Sequence, residues 1–263
     1  MCELSHKFYT MNLITQSSMP EQITVIDVVD STMIKGRDML NAGVSRPFGV
    51  VSNQQTAGYG KKGRSFFSPK GAGIYQTFVF DIQNEFDAGL LTTGVAVSVA
   101  HAIFKVSGIQ VDLKWVNDLY LNDRKIAGIL VEGILTNNVV TQVAIGIGLN
   151  ILPTAVPQEL KHIVGTLGVD VDKNLLVQTI FSEIVSDFSD YKSGLHLTYY
   201  RKHSYLQNKH VILKTGNADV EGDICGVGDH GELLIEQNGH VSAFISGDVT
   251  KVVLREIAGN GDK

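Results

Sequence analysis

Three β-type runs stand almost back to back in the middle of this chain, and they constrain its fold more than any other feature. They are Val111–Leu121, Lys125–Leu135 and Val139–Ile151, separated only by the turn residues Asn122-Asp123-Arg124 and Thr136-Asn137-Asn138. Apolar runs joined by such turns build a sheet. The flanks are helical. Asp87–Ser107 reads as a buried helix closed by Gly108. Leu176, Ile180, Ile184 and Phe188 recur every fourth residue and so share one helical face. A further helix is expected near His196–Leu206. Upstream, Ile23–Val29 and Phe48–Ser52 read as strands. Between them lies a helix that Asp30 or Ser31 caps and that ends near Gly43. Ile74–Phe80 is another β-rich run.

After about residue 207 the character changes. Short β segments follow near residues 209–214, 219–227, 231–236, 240–245 and 249–254, with turns at Asp229-His230-Gly231 and Asn238-Gly239. The expected architecture is α+β, a mixed sheet with helices packed on it, carrying a small C-terminal β-barrel. Its expected boundaries are a loose tail over 1–20, the main domain over 21–207 and the β domain over 208–257.

The formal net charge of −5 argues against a chain built mainly to hold nucleic acid. Cys2 and Cys225 are too few for a disulfide framework, and no Cys/His cluster has zinc spacing. Residues 1–20 carry Glu3, His6 and Lys7 and never assemble the apolar run of a signal peptide. The most apolar stretches, around Val95–Phe104 and Val143–Leu152, are short and interrupted by His101 and Asn150, so no membrane span is implied. A cytoplasmic setting is the simplest one.

Two segments carry chemistry. GYGKKG, with Gly58, Gly60 and Gly63, matches the dinucleotide-binding pattern GxGxxG. That pattern needs a helix straight after the glycines, so that the helix N-terminus meets the pyrophosphate. Here Pro69, Gly71 and Gly73 follow instead, and the next element is a strand. Lys61, Lys62, Arg64 and Lys70 sit among the glycines. Glycine lets a backbone approach a ligand, and the cations can neutralise phosphate and carboxylate. Taken alone, the segment reads slightly better as a solvated surface loop.

The second segment is KWVNDLYLNDRKIAGILVEG. Strand alternation places Lys114, Val116 and Asp118 on one face and Trp115, Asn117 and Leu119 on the other. A hairpin with charged rims accounts for Asp123 and Arg124, which occupy the turn. It accounts less well for Lys114, Asp118 and Lys125, whose flanks are apolar, because buried charge is costly unless paired or used. Gly128 allows a close backbone approach.

This segment closely resembles the signature of the biotin–protein ligase family, KWPND followed by K-AGIL-E. GYGKKGR, with QQTAG before it, resembles the family's GRGR-GR loop. Asp30-Ser31-Thr32 resembles its DST at the first helix, and IGIGLNI at 145–151 its IG-G-N strand. The four motifs follow in family order. The resemblance implies the biotin ligase catalytic fold, related to class II synthetases, with an SH3-like C-terminal barrel. It implies ATP-dependent formation of biotinyl-5′-AMP, then transfer to a lysine of a biotin carboxyl carrier protein, with Mg2+ alongside biotin and ATP. Catalytic roles fall to Lys125, Lys61, Arg64 and Asp118. Biotin is expected against Ser31, Thr32, Met33, Gln55, Gly58, Tyr59, Gly60, Lys61, Lys125 and Gly128. ATP is expected against Lys61, Arg64, Asn117, Lys125 and Asn150. Within this set Lys125 meets the biotin carboxylate and the α-phosphate, and Asp118 positions the acceptor lysine. The metal ligands stay unknown.

There are departures from the pattern. Tyr59 and Lys61 stand where arginine is frequent, Phe66 where tryptophan is, Val116 for proline and Met33 for asparagine. Lysine keeps the charge of arginine but loses its bidentate geometry. Some members carry an N-terminal DNA-binding module. Only 29 residues precede Asp30, and the form without that module is expected. Neither nucleic acid nor membrane is an expected partner, and a homodimer is one open form.

The rivals are a lipoate or octanoate ligase or transferase of the same fold, and a non-catalytic biotin-binding regulator. The KWVND and glycine-loop pairing favours biotin, and Lys125 with Asp118 favours an enzyme. Other residues have plainer readings. His101 is a core or boundary histidine, and His196, His203 and His210 lack metal spacing. Tyr199-Tyr200 packs between helices, and Cys225 is a small apolar side chain.

Overall fold

The structure is a computed structural model that describes residues 13–253 except 84 and 217, with backbone only for 251–253. The Cys2 reading and the expected limit at 257 lie outside the described residues. Elements follow in the order β1 (Ile23–Val29), α1 (Thr32–Asn41), β2 (Phe48–Gln55), β3 (Gly73–Asp81), α2 (Ala88–Ser107), β4 (Asp112–Lys114), β5 (Asp118–Leu121), β6 (Arg124–Thr136), β7 (Val139–Asn150), α3 (Lys173–Phe188) and α4 (His196–Lys202). Their strands form one sheet in the order β1-β2-β3-β7-β6-β5-β4. Only β1 and β2 run parallel, so the sheet is mixed. Five more strands, β8 (His210–Lys214), β9 (Asp219–Val227), β10 (Leu233–Gln237), β11 (His240–Phe244) and β12 (Asp248–Val253), form an antiparallel sheet in the order β11-β10-β9-β8-β12.

α2 is the central helix of the core. Asp87 caps it by accepting from the Leu90 N–H at 2.9 Å, and Gly108 closes it at φ +71°. By length and composition it could cross a membrane, but 72% of its apolar window is buried inside the protein, as expected of a core helix. α2 and α3 cover one face of the sheet, while α1 covers part of the other beside β2, β3 and β7.

Several details depart from the sequence reading. Residues 13–20 are not loose. Ile14 is buried, and Asn53 clasps its backbone from both sides, accepting from its N–H at 2.9 Å and donating to its carbonyl at 3.2 Å. The expected strand 111–121 is broken. Trp115, Val116 and Asn117 make a turn, and β4 folds back on β5 so that Lys114 faces Asp118 across a hairpin. The helix near 196–206 ends at Lys202. Ser31 holds the N-cap position of α1, but its hydroxyl caps nothing. Gln55 on β2 accepts from the Thr32 N–H instead, at 2.8 Å. Cys225 is exposed, because it alternates with buried Ile224 on β9. The plainer readings of His101 and Tyr200 hold: His101 meets the Tyr199 ring edge-on at 4.4 Å, and Tyr200 is fully buried.

Gln76 lies in the row Val51–Gln76–Ile147–Ile129, on the sheet face turned to the large core. It is 1% exposed, and neither end of its amide has a hydrogen-bond partner among the described residues. An unpaired buried amide costs roughly 1–3 kcal/mol. Gln76→Leu is therefore expected to raise the unfolding free energy by about that amount in urea titrations. A loss of stability would show that the amide is paired.

Candidate active site

A cavity of about 480 Å³ opens on the α1 side of the sheet. Its floor is made by three glycines that keep side chains out of the way. A Cβ on Gly148 would run into the ring of Phe66, and one on Gly146 would sit 2.7 Å from the Met33 sulfur. On Gly128 it would approach the Lys125 ammonium at 3.2 Å. The small residues of the IGIG and AGIL segments thus seat Phe66, Met33 and Lys125 against the sheet.

The roof is the glycine loop. It is a narrow lid rather than an open loop. Gly60 N–H donates to the Arg64 carbonyl and Phe66 N–H to the Gly58 carbonyl, both at 2.8 Å. Lys62 and Gly63 turn the chain between them at φ +59° and +70°. The far foot of the lid is anchored by a buried lysine. Lys173, 1% exposed at the start of α3, donates to the Gly71 carbonyl.

The inner end of the cavity is polar on one side. Gln55 Oε1 accepts from the Thr32 N–H and from its hydroxyl at 3.1 Å, while Gln55 Nε2 donates to Ser68 at 3.0 Å. Met33 and Leu130 line the other side. The outer end is cationic. Lys125 pairs with Asp118 at 2.6 Å. Lys114 donates to the Tyr120 hydroxyl at 3.1 Å and lies 4.9 Å from the centre of its ring. Lys61 and Arg64 come down from the lid. Burial pushes the Lys61 and Lys114 amines below their ordinary range, with Asp118 and Asp248 pulling the other way. Residues 247–250 of the C-terminal sheet close the cavity from the side.

The sequence relationships agree with this geometry. Residues 25–150 match the profile of the biotin/lipoate A/B protein ligase family, and residues 207–252 match the biotin protein ligase C-terminal domain. The bifunctional ligase/repressor BirA of Bacillus subtilis (strain 168) is 31% identical over 242 residues, which cover 88% of this chain and 74% of that protein. The chain belongs to the biotin protein ligase family. The corresponding protein of Escherichia coli (strain K12) is 29% identical over 236 residues, covering 87% of this chain and 73% of that one. In fold, the chain resembles the biotin protein ligase from Aquifex aeolicus solved in complex with biotin and ATP. The TM-score is 0.74 at 24% identity, covering 86% of this chain and 97% of that one.

In this biotin protein ligase fold, most of the residues expected from the motifs gather around the one cavity. Thr32, Met33, Gln55, Tyr59, Gly60, Lys61, Arg64, Asn117, Asp118, Lys125, Gly128 and Asn150 all line it. Ser31 and Gly58 are not among its lining residues. The Ser31 hydroxyl is buried without a partner among the described residues. The Asn117 and Asn150 amides are already engaged, donating to the carbonyls of Ile129 at 2.7 Å and Gly165 at 3.2 Å. Three contributors were given no site role from the sequence, although Lys114 and Phe66 were singled out there. Lys114 had a signal, a cation between apolar neighbours. Phe66 had only its place in the lid motif. Residues 247–250 had none.

Proposed function

We propose that this chain is a biotin–protein ligase that joins biotin to ATP, forming biotinyl-5′-AMP, and then passes the biotinyl group to a lysine of a biotin carboxyl carrier domain. The observation that carries this reading is one cavity with a small, partly polar inner end and a cationic outer end under a glycine lid. The bicyclic head of biotin suits the inner end, with its ureido edge toward Thr32 and Gln55. Its valeryl chain passes the Phe66 ring seated on Gly148, and its carboxylate reaches Lys125.

In the first step a biotin carboxylate oxygen attacks the α-phosphorus, a P–O bond forms, and pyrophosphate leaves. Both reactants are anionic. Lys125, Lys61 and Arg64, joined by Lys114, screen that repulsion and stabilise the charge of the transition state. Among the described residues no three metal-binding side chains cluster, and Asp118 and Asp248 are each in an ion pair. Asp118 and Asp248 are the carboxylates that line the cavity, and they would share a magnesium ion held mainly by the nucleotide's phosphates. Such an ion supplies further charge neutralisation. In the second step the amine of the carrier lysine attacks the acyl carbon and AMP leaves. Asp118, on the cavity wall, positions the incoming lysine. No enzyme nucleophile is needed. The exposed thiol of Cys225 fits a reducing cytoplasm.

The test is mass-spectrometric transfer of biotin to a carboxyl carrier domain, with lipoate and octanoate in parallel. Biotin alone is expected to transfer. Preferred transfer of either other acid would reassign the substrate, and no ATP–pyrophosphate exchange with any of the three would favour a regulator. The lid gives a second expectation. Its glycines and few apolar anchors leave it easily opened without ligand. Cleavage by protease within residues 58–73 is expected to slow with biotin plus ATP. Equal cleavage in both conditions would argue against a closing lid.

A further inference from the structure

The lid and the C-terminal sheet meet around one carboxylate. Asp248, the first residue of β12, accepts from Arg64 Nη2 at 2.8 Å and from Lys62 Nζ at 3.3 Å. Its neighbours reach the same cations. The Gly247 carbonyl accepts from Lys61 Nζ at 3.3 Å, and the Val249 carbonyl accepts from Lys114 Nζ at 3.5 Å. Three consecutive residues therefore touch four of the cations at the outer end of the site. These partners are far apart in sequence, so the contacts exist only once both domains have folded together.

Two features suggest a catch rather than a structural clamp. First, the lid cations are exposed, Arg64 at 63% and Lys62 at 58%, while Asp248 is only 25% exposed. The carboxylate is the fixed member and the lid side chains are the movable ones. Its backbone is held opposite Lys214 by β12–β8 pairing. Second, exposed ion pairs are individually weak. A pair of weak prongs can release whenever substrate must enter, whereas an apolar seal would resist opening. Partial burial works against the charged carboxylate, but Arg64 and Lys62 more than offset it and keep Asp248 ionised.

We propose that Asp248 is a positioning residue, the catch by which the C-terminal domain holds Arg64 and Lys62, and with them the lid, over the phosphate-binding end of the cavity. The proposal rests on the ligase reading for its kinetic consequence but not for its structural one. Without the catch, ATP must order the lid cations itself. A carboxylate this close also returns the cations to a common place each time the lid closes.

Asp248→Asn keeps size and strand pairing while removing the charge. On the full chain, the lid is expected to be cleaved within residues 58–73 about three- to tenfold faster without ligand. The KM for ATP in biotin-dependent pyrophosphate exchange is expected to rise by a similar factor, with kcat within about twofold. Asp248→Glu is expected to restore most of both. Lys62→Gln removes one prong from the exposed side, and about a twofold rise in cleavage is expected. It serves as the reporter if Asp248→Asn folds poorly. Wild-type cleavage in both Asp248→Asn and Lys62→Gln overturns the proposal. So does faster cleavage with an unchanged KM for ATP, because the contact would then be a domain clasp with no bearing on the cations. Failure of wild-type protein to exchange pyrophosphate with biotin would sink the ligase reading instead, and the cleavage comparison would still judge the catch.

Discussion

Lys125→Ala is expected to slow adenylation by about 10²–10³-fold, the scale for removing one preorganised electrostatic donor from a transition state. The geometry makes this cation hard to replace. Its backbone is fixed on both sides, its N–H donating to the Ile163 carbonyl at 2.9 Å and its carbonyl accepting from the Gly165 N–H at 2.8 Å. Its ammonium lies over Gly128, where any side chain would crowd it, and is held by Asp118 at 2.6 Å. The side chain is partly exposed at the rim of the sheet, so folding is expected to survive its loss. Lys125→Arg is expected to rescue only partly, since a planar guanidinium does not fit the space above Gly128 as an ammonium does. Pyrophosphate exchange on well-folded variants decides the matter. Near wild-type exchange by Lys125→Ala would move the role to Lys61 or Arg64.

The second large effect is expected at Gly148. Valine is well suited to a central strand, so Gly148→Val leaves β7 able to pair with β3 and β6. Its side chain, however, takes the seat of the Phe66 ring. That ring is the half-buried apolar group by which the lid rests on Gly148. Losing the burial of one such side chain costs about 1.5–3 kcal/mol, or roughly ten- to a hundredfold in Kd for biotin. Titration calorimetry with biotin would show it, with thermal unfolding as a check on the fold. Unchanged affinity would mean that Phe66 does not seal the site.

Both predictions draw on residues that were visible in the sequence, but for different reasons. Lys125 stood out as a charge beside an apolar strand. Gly148 stood out only as part of the IGIGLNI motif, and its partner Phe66 could not be paired with it until the lid was seen to fold onto β7. The same limit applies to the KWVND segment. Alternation along one strand placed Lys114 and Asp118 on a common face. They do meet, but across a hairpin, because the chain turns at Trp115-Val116-Asn117. Two of its three turn residues are a tryptophan and a valine, and the single turn-forming residue, Asn117, is too weak a signal against the apolar run around it. For Cys225 the signal was present and overlooked: a period-two strand with Ile224 inside must put its neighbour outside.

By itself the sequence determined what depends on a few neighbouring residues. α2 with its Asp87 cap and Gly108 stop, the four-residue period of α3, and the β6–β7 hairpin at Asn137-Asn138 all follow from local propensity, capping and turn chemistry. The motif residues of the site were legible too, since their chemistry is unusual among apolar neighbours. Only the tertiary structure decided which of them act together. The insertion of β7 between β3 and β6, the capping of α1 by Gln55 and the capture of the lid cations by Asp248 join residues 23 to 186 positions apart. Such contacts leave no local trace in the sequence, because the free energy that selects them comes from burying distant surfaces together, not from the preferences of either segment alone.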